Sequence, residues 1–430
     1  MIRFILADLQ RLQAGAMIVV LLVAFATALG MAVRIEERAL RLGSARAADR
    51  FDVVIGAPGS ETQLVLSSIF LQPSPLALVS GDVLKQLSED PRVDHAAPVG
   101  FGDSYHGYPI IGTTAEFIEK SGFRIEGEGR NFSALSEAVV GARVPMAVGD
   151  EFSPQHGLAG QAAEEHHEMS YRITGRMEPS ATPWDRAILV PIEGVWHVHG
   201  LGLGPGEEGY HDGHDQHHEH DDHDHDEEHD HDDEHGEHHI EAGHLGPPWP
   251  SDMPGVPAIL VKPRTIANAY QIRGDYRTET AMAVFPGEVL TRLYATLGDA
   301  RLVLTAIAIG TQMLAGTAVI LVTMAHLSQR RRQIGALRAF GAPRLAVFAV
   351  VWSELLIVIG LGVAAGIGLG YAGAKALAIL FARQSGMALP VTLEMSDLAF
   401  AGMLLAVAAL IAVVPAIYAY RQSPAAALRG

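Results

Sequence analysis

Twelve histidines fall within the 29 residues from 211 to 239: His211, His214, His217, His218, His220, His223, His225, His229, His231, His235, His238 and His239. Between Glu207 and Glu241 they alternate with 17 Asp and Glu and with no Lys or Arg. Neutral imidazole and carboxylate together suit Zn2+, and imidazole also serves Ni2+, Cu2+ and Co2+. The tract holds no HExxH frame, and no single four-ligand set stands out. It is therefore expected to bind several ions loosely and exchange them, and to release them as its imidazoles protonate near pH ~6.5. The plainer alternative is a solvated acidic spacer, which so dense a run of histidines argues against.

Other histidines carry weaker signals. His197 and His199 would share one face of an extended segment; they read first as a surface pair and second as a metal hand-off point. His166 and His167, beside Glu164, Glu165 and Glu168, are similar. His95, His106 and His156 are isolated and read as structural or surface residues.

The tract dominates the charge of the chain. The 430 residues carry a formal −18, and removing the 17 acids of residues 207–241 leaves −1. No basic patch with interleaved aromatics occurs, so nucleic acid is not an expected partner. Cysteine is absent, which removes disulfides, thiol catalysis and Cys-based zinc sites.

Four apolar runs are long enough to cross a bilayer of roughly 30 Å: residues 14–33, 301–327, 345–374 and 398–420. Residues 1–13 place Ile2, Ile5, Leu6 and Leu9 on one helical face and read as an interfacial amphipathic helix. The first run exceeds a typical signal-peptide core and continues into the helical, charged Arg34-Ile-Glu-Glu-Arg38, so an uncleaved helix is expected. Basic residues mark one side of the membrane. Arg3 and Arg11 precede the first run, Arg330, Arg331, Arg332, Arg338 and Arg344 lie in the 328–344 loop, and Arg421 and Arg429 lie in the 421–430 tail. By the positive-inside rule that side is the cytoplasm, which places both termini there. Residues 34–300 and the 375–397 loop then face outward, into the periplasm of a two-membrane bacterium, with the inner membrane as the site of residence.

The outer region shows short β-branched strands at 51–55, 92–98, 108–113, 138–141, 171–175, 187–190 and 257–262. Helices are expected at 81–88 and 114–120, begun or capped by Asp82 and Thr114. Residues 195–257 lack any apolar period, and their composition implies a disordered insertion centred on about 200–250. Gly246-Pro-Pro-Trp-Pro reads as a semi-rigid spacer at its end. The fold class expected is an α/β periplasmic domain on a four-helix transmembrane bundle. The helix after Arg34 and the helix 286–299 are expected to form a two-helix stalk.

Several stretches resemble one family. Arg331-Arg-Gln-Ile-Gly-Ala-Leu-Arg-Ala-Phe-Gly-Ala-Pro-Arg344, Glu354, the glycines from Gly360 to Gly370 and the closing Arg421-x-Ser-Pro-Ala-Ala-Ala-Leu-Arg429 resemble FtsX-like ABC permeases. Within that family the MacB-type and LolC/LolE-type transporters are the similar branch. Ala138-Val-Val-Gly-Ala-Arg143, Val148-Gly-Asp-Glu-Phe152 and Thr182-Pro-Trp-Asp-Arg-Ala-Ile-Leu-Val-Pro191 resemble the MacB-type periplasmic core. The resemblance covers most of the chain outside 195–256. It implies a permease dimer, homo- or heteromeric, driven by ABC ATPase subunits. MacB itself carries its ATPase on the same polypeptide, whereas no GxxxxGK[ST] occurs here, so the ATPase is expected on a separate partner.

The arginines at 330, 331, 332, 338 and 344 are the expected coupling elements to that ATPase. Glu354, an acid inside a span, is a functional candidate that could pair with an arginine of that loop or join a helix contact. Glycines 360, 362, 366, 368, 370 and 373 read as close helix packing. No GxSxG elbow occurs, and neither a catalytic residue nor an intrinsic cofactor is expected. The function implied is the membrane subunit of an ATP-driven transporter for zinc or another divalent metal, with a periplasmic metal-binding protein as a further partner. The alternative is a mechanotransmission permease that acts on a lipoprotein, peptide or envelope partner and uses the tract as a metal sensor.

Overall fold

The computed structural model describes residues 13–72, 74–156, 164–165, 169–199, 201, 245–251, 253–296, 298–329, 341 and 343–421. The chain divides into two compact units, one from Ala47 to Leu290 and one made of Met1–Arg46 with Thr291–Gly430.

The first unit is built on an 11-stranded sheet. Its strands are β1 (Val53–Gly56), β2 (Val93–Tyr105), β3 (Tyr108–Thr113), β4 (Glu137–Val140), β5 (Glu151–Phe152), β6 (Gln155–His156), β7 (Glu164–Glu165), β8 (Tyr171–Arg176), β9 (Ile188–Pro191), β10 (Ala258–Pro263) and β11 (Met282–Val284). They lie in the order β11-β1-β10-β2-β3-β9-β4-β8-β5, with β6 on β2 and β7 on β6. β3 runs parallel to β9 and β4 parallel to β8, while β1, β10 and β2 are antiparallel neighbours.

The strands are apolar at consecutive positions because both faces of the sheet are covered. Val53, Ile55, Val140, Ile188 and Val190 enter one core; Val54, Val139, Leu189 and Leu260 enter the other. The first face is closed by α3 (Gly81–Glu89), α5 (Ile192–Val198) and α6 (Ile266–Asp275), through Leu84, Leu87, Ile192, Val195 and Ile272. The second is closed by α2 (Glu61–Ser68) and α4 (Ala115–Lys120). There Trp184 is fully buried against Phe51, Phe117 and Phe123, with ring centroids 5.0–5.9 Å away.

Each strand expected from the sequence occurs, with ends displaced by a few residues and β2 extended to Tyr105. Helix α3 is capped by Ser80, whose side chain accepts from the Asp82 backbone N–H at 3.2 Å, so Asp82 lies inside the first turn and is not its cap. Thr114 caps α4 through the Phe117 N–H. The 195–257 segment also differs from expectation at both ends. Helix α5 continues through Val198, and Leu201 N–H donates to the Trp196 carbonyl at 2.8 Å. Gly246 N–H donates to Glu193 Oε1 at 2.7 Å, and Trp249, 5% exposed, packs edge-on against Trp196 at 6.1 Å. Gly246-Pro-Pro-Trp-Pro is thus an anchor, because an indole finds more favourable surroundings against a second indole than in water. Residues 202–244, the whole histidine tract, lie outside the described residues.

The second unit holds α1 (Gln13–Ala48), α8 (Gly298–Gln329), α9 (Arg344–Ser385) and the consecutive α10 (Met395–Ile411) and α11 (Val413–Arg421). α7 (Pro286–Thr296) ends in this unit, and its Tyr294 hydroxyl is hydrogen-bonded to Ser44 of α1 at 2.6 Å. That contact pairs the two helices expected to form the stalk. Among the described residues, four stretches are long and apolar enough to cross a membrane: Gly15–Ala48, Leu302–Ala325, Arg344–Ser385 and Met395–Tyr418. Their large apolar side chains point outward, as with Phe25 (66% exposed) and Leu314 (72%), which is the arrangement a hydrocarbon solvent favours. Helix α9 runs through Ser385 and stops at Gly386, whose φ of 78° supplies the left-handed C-terminal residue. The loop expected at 375–397 is therefore helical over its first eleven residues, from 375 to 385.

The expected glycine packing divides cleanly. A Cβ at Gly362, Gly366 or Gly370 would stand 2.5–2.8 Å from Val23, Thr27, Ala28 or Met31 of α1. The four-residue spacing repeats once per turn, so α9 and α1 touch backbone to backbone within one chain. Gly360, Gly368 and Gly373 face open space.

Candidate functional site

Within the second unit, α1, α8, α9 and α10 enclose a cavity of about 610 Å3. Its wall is mostly apolar, including Val23, Ile309, Met313, Val319 and Met403. Its charged lining gathers where α1 leaves its apolar run and α10 begins: Arg34, Glu37, Arg38, Arg41 and Glu394. One compartment therefore offers hydrocarbon contacts along its length and charge at one end.

The charged end is fixed by Asp397, whose side chain is wholly buried. Arg38 Nη1 and Nη2 donate to its two oxygens at 3.2 and 2.7 Å, and Arg38 Nη2 also donates to the Thr392 carbonyl at 2.6 Å. Arg34 Nε stands 3.9 Å from Asp397, and its guanidinium lies over the Phe400 ring at 5.0 Å. Local sequence explains the geometry. Arg34 and Arg38 are one turn apart on α1 and share a face. Glu394 and Asp397 form a reciprocal capping box at the start of α10, with Glu394 N–H donating to Asp397 Oδ2 at 3.0 Å. A buried carboxylate is tolerable only when paired and hydrogen-bonded, and this one is both. Gln312 of α8 reaches α1 through a 2.9 Å bond from Nε2 to the Ala26 carbonyl.

Sequence reasoning missed this cluster. Its signal was present as two arginines four apart just beyond one apolar run, and as the Glu-x-x-Asp spacing at the head of another.

The site residues expected from the sequence are placed as follows. The twelve tract histidines and Arg330, Arg331, Arg332 and Arg338 lie outside the described residues. Arg344 is the first residue of α9 and is exposed. Glu354 is half-buried on the same helix. Ten residues separate them, about 15 Å along the axis, so Arg344 is too far to be its ion-pair partner. Among the described residues no three His, Asp or Glu side chains converge to hold a metal.

In the first unit, His95 is buried and bonded to Asp94 and Ser121, and desolvation lowers its pKa. It is a structural residue.

Comparison with known proteins gives a match between residues 305–425 and the family model for the FtsX-like permease C-terminal region. Curated proteins give no match. Among solved structures, the periplasmic region of MacB from Actinobacillus actinomycetemcomitans is similar at 9% identity and a TM-score of 0.31, covering 58% of this chain and 95% of that one. The extracellular domain of the noncanonic ABC-type transporter YknZ from Gram-positive bacteria is similar at 9% identity and a TM-score of 0.28, covering 54% and 98%.

Proposed function

We propose, on the premise of an FtsX-like permease domain over residues 305–425, that this chain is the membrane subunit of an ATP-driven ABC transporter that handles a divalent metal, zinc foremost. The single observation that carries the metal is the tract of twelve histidines and 17 acids, which no solvated spacer requires. In this reading the protein resides in the bacterial inner membrane and works as a dimer, with the α/β unit in the periplasm. Separate ATPase subunits act on the basic segment 330–344, and a periplasmic metal-binding protein exchanges ions with the tract. Motion of the 330–344 segment passes along α8, which leads straight from it.

Deleting residues 207–244 tests the metal directly. The deletion strain is expected to lose cell zinc and to stop growing under chelation. Normal zinc content and normal growth would overturn the reading. Reversing charge at Arg338 and Arg344 is expected to abolish transport-coupled ATP hydrolysis and leave zinc binding by the purified chain unchanged. Loss of zinc binding in that variant would show that the two ends are not separable.

A second reading is favoured by the cavity. A compartment with an apolar wall and a charged end, where Arg34, Arg38 and Arg41 stand beside Glu37 and Glu394, fits an amphiphile with a polar head, such as the anchor of a lipoprotein. The chain would then be a mechanotransmission permease of the MacB or LolC/LolE type, with the tract as a metal sensor. Retention of lipid-modified proteins in the inner membrane, alongside unchanged zinc, would favour it.

A further inference from the structure

The cavity of the helical unit has a depth that matches one half of a bilayer. On α1 its lining runs from Val23 to the charged stretch that begins at Arg34, and on α10 from Phe400, which carries the Arg34 guanidinium, to Ile411. Each interval is eleven residues, or about 16 Å of helix. One leaflet is half of a hydrocarbon core of roughly 30 Å, about 15 Å. The compartment therefore spans headgroup level to the middle of a membrane. Its walls are open to hydrocarbon: Ile309 and Met313 of α8 and Met403 and Val407 of α10 line it and are 44–71% exposed.

The charged end is neutral as a whole. Arg34, Arg38 and Arg41 stand with Glu37, Glu394 and the buried Asp397, three charges of each sign. Two of the three guanidiniums are committed. Arg38 binds Asp397 and the Thr392 carbonyl, with its Nε 3.3 Å from Glu394 Oε1, and Arg34 lies over Phe400. Arg41, one turn further along the same face of α1, is exposed. Among the described residues no hydrogen bond or ion pair engages its side chain. Glu394, at the same end, is 47% exposed. A purely basic pocket selects an anionic head. Balanced signs, with one exposed cation and one exposed carboxylate, select a head that carries both.

We propose that this cavity is a binding site for one phospholipid with a zwitterionic head of the phosphatidylethanolamine type. The Arg41 guanidinium takes the phosphate through charge-assisted bonds. The ammonium lies toward Glu394, and an acyl chain fills the apolar length beside Met313 and Val407. Arg38 and Asp397 act as positioning residues, because they fix the start of α10, and Glu394 with it, against α1. Such a lipid is a resident of the cavity rather than cargo. The site thus goes beyond both readings above and competes only with a lipoprotein anchor in the same compartment. The glyceryl head of such an anchor carries no phosphate and gives Arg41 no anion to hold.

The test reconstitutes the full chain into vesicles of equal phosphatidylethanolamine and phosphatidylglycerol content, extracts it in mild detergent and identifies the retained lipid by mass spectrometry. One phosphatidylethanolamine per chain is expected, retained ~10-fold over phosphatidylglycerol. Arg41→Glu at the head and Val407→Trp in the apolar depth should each lower retention ~10-fold, whereas Arg41→Lys should keep the lipid. Leu410→Trp, on the same helix, 72% exposed and outside the lining, should leave retention unchanged. Should Arg41→Glu not fold, the contrast between Val407→Trp and Leu410→Trp decides. Equal retention of the two lipids, or equal loss in the two tryptophan variants, overturns the site. A lipid-modified polypeptide in place of phospholipid overturns it and supports the second reading. The chain has no cysteine, so Val407→Cys is a single probe. A disulfide from it to a second copy would show the cavity to be a seam between copies and would overturn the site as well.

Discussion

Trp184 and Gly366 show how differently the two units make a dry contact. In the α/β unit an indole fills the space between sheet and helices, held by Phe51, Phe117 and Phe123. In the helical unit the side chain is removed altogether, so that α9 lies on the α1 backbone near Ala24 and Thr27. Water drives the first arrangement, because burying a large aromatic side chain removes apolar surface from solvent. Between helices surrounded by lipid that drive vanishes, and close van der Waals approach takes its place. Surface pairs such as Arg172–Glu151 decorate the first unit, whereas Asp397 and Arg38 sit inside the second.

The largest effect expected from breaking this contrast is at Arg38. Arg38→Ala leaves Asp397 buried with only Arg34 nearby, and loss of one partner of a buried pair costs about 3–5 kcal/mol. Arg34, at 3.9 Å, can take up part of that. Thermal unfolding in detergent should show the loss, and Arg38→Met with Asp397→Asn should recover most of it. An unchanged melting temperature in the single variant would mean that the charges are solvated. Next comes Gly366→Val, whose Cβ would meet Thr27 Cβ at 2.5 Å. Overpacking of this kind costs about 1–3 kcal/mol. Gly368→Ala, where nothing lies within 4 Å, should be neutral or slightly stabilising. Equal effects at 366 and 368 would remove the argument for backbone contact.

In the α/β unit, Ser80→Ala should cost about 1 kcal/mol by stripping the cap of α3, while Asp82→Ala should cost less. The smallest effect is one of pH. Bonds from Arg130 and Ser133 hold the Glu137 carboxyl down, at a pKa of about 2. A carboxylate with a depressed folded-state pKa stabilises the fold above its ordinary value of about 4.5, and that contribution fades as pH falls toward 2. Melting curves across that window should slope less in Arg130→Ala than in the parent chain.

Much of the architecture was legible because it follows from local pattern. Apolar runs marked the four long helices, and β-branched runs such as Val53-Val-Ile and Ile188-Leu-Val marked strands. What escaped depended on partners distant in sequence. Nothing local tells that Trp249 will meet Trp196, so a proline-rich anchor read as a spacer. Nothing local tells that Asp397 will meet Arg38 of α1 across 359 positions. His156 read as isolated because the strand register that sets it opposite Asp103 is invisible before the strands pair. The glycines were legible as packing residues, but only the pairing of α9 with α1 separates those at 362, 366 and 370 from the rest.

The two bonds that fasten Leu201 and Gly246 to α5 have a consequence for how this protein can change. Chain entering and leaving at the same short helix is held by the body of the domain, whatever lies between. Doubling the length of such an excursion costs only ~0.6 kcal/mol in closure entropy. The 202–244 interval is thus an exchangeable cassette: a reporter peptide grafted at the same two ends would ride on an intact fold.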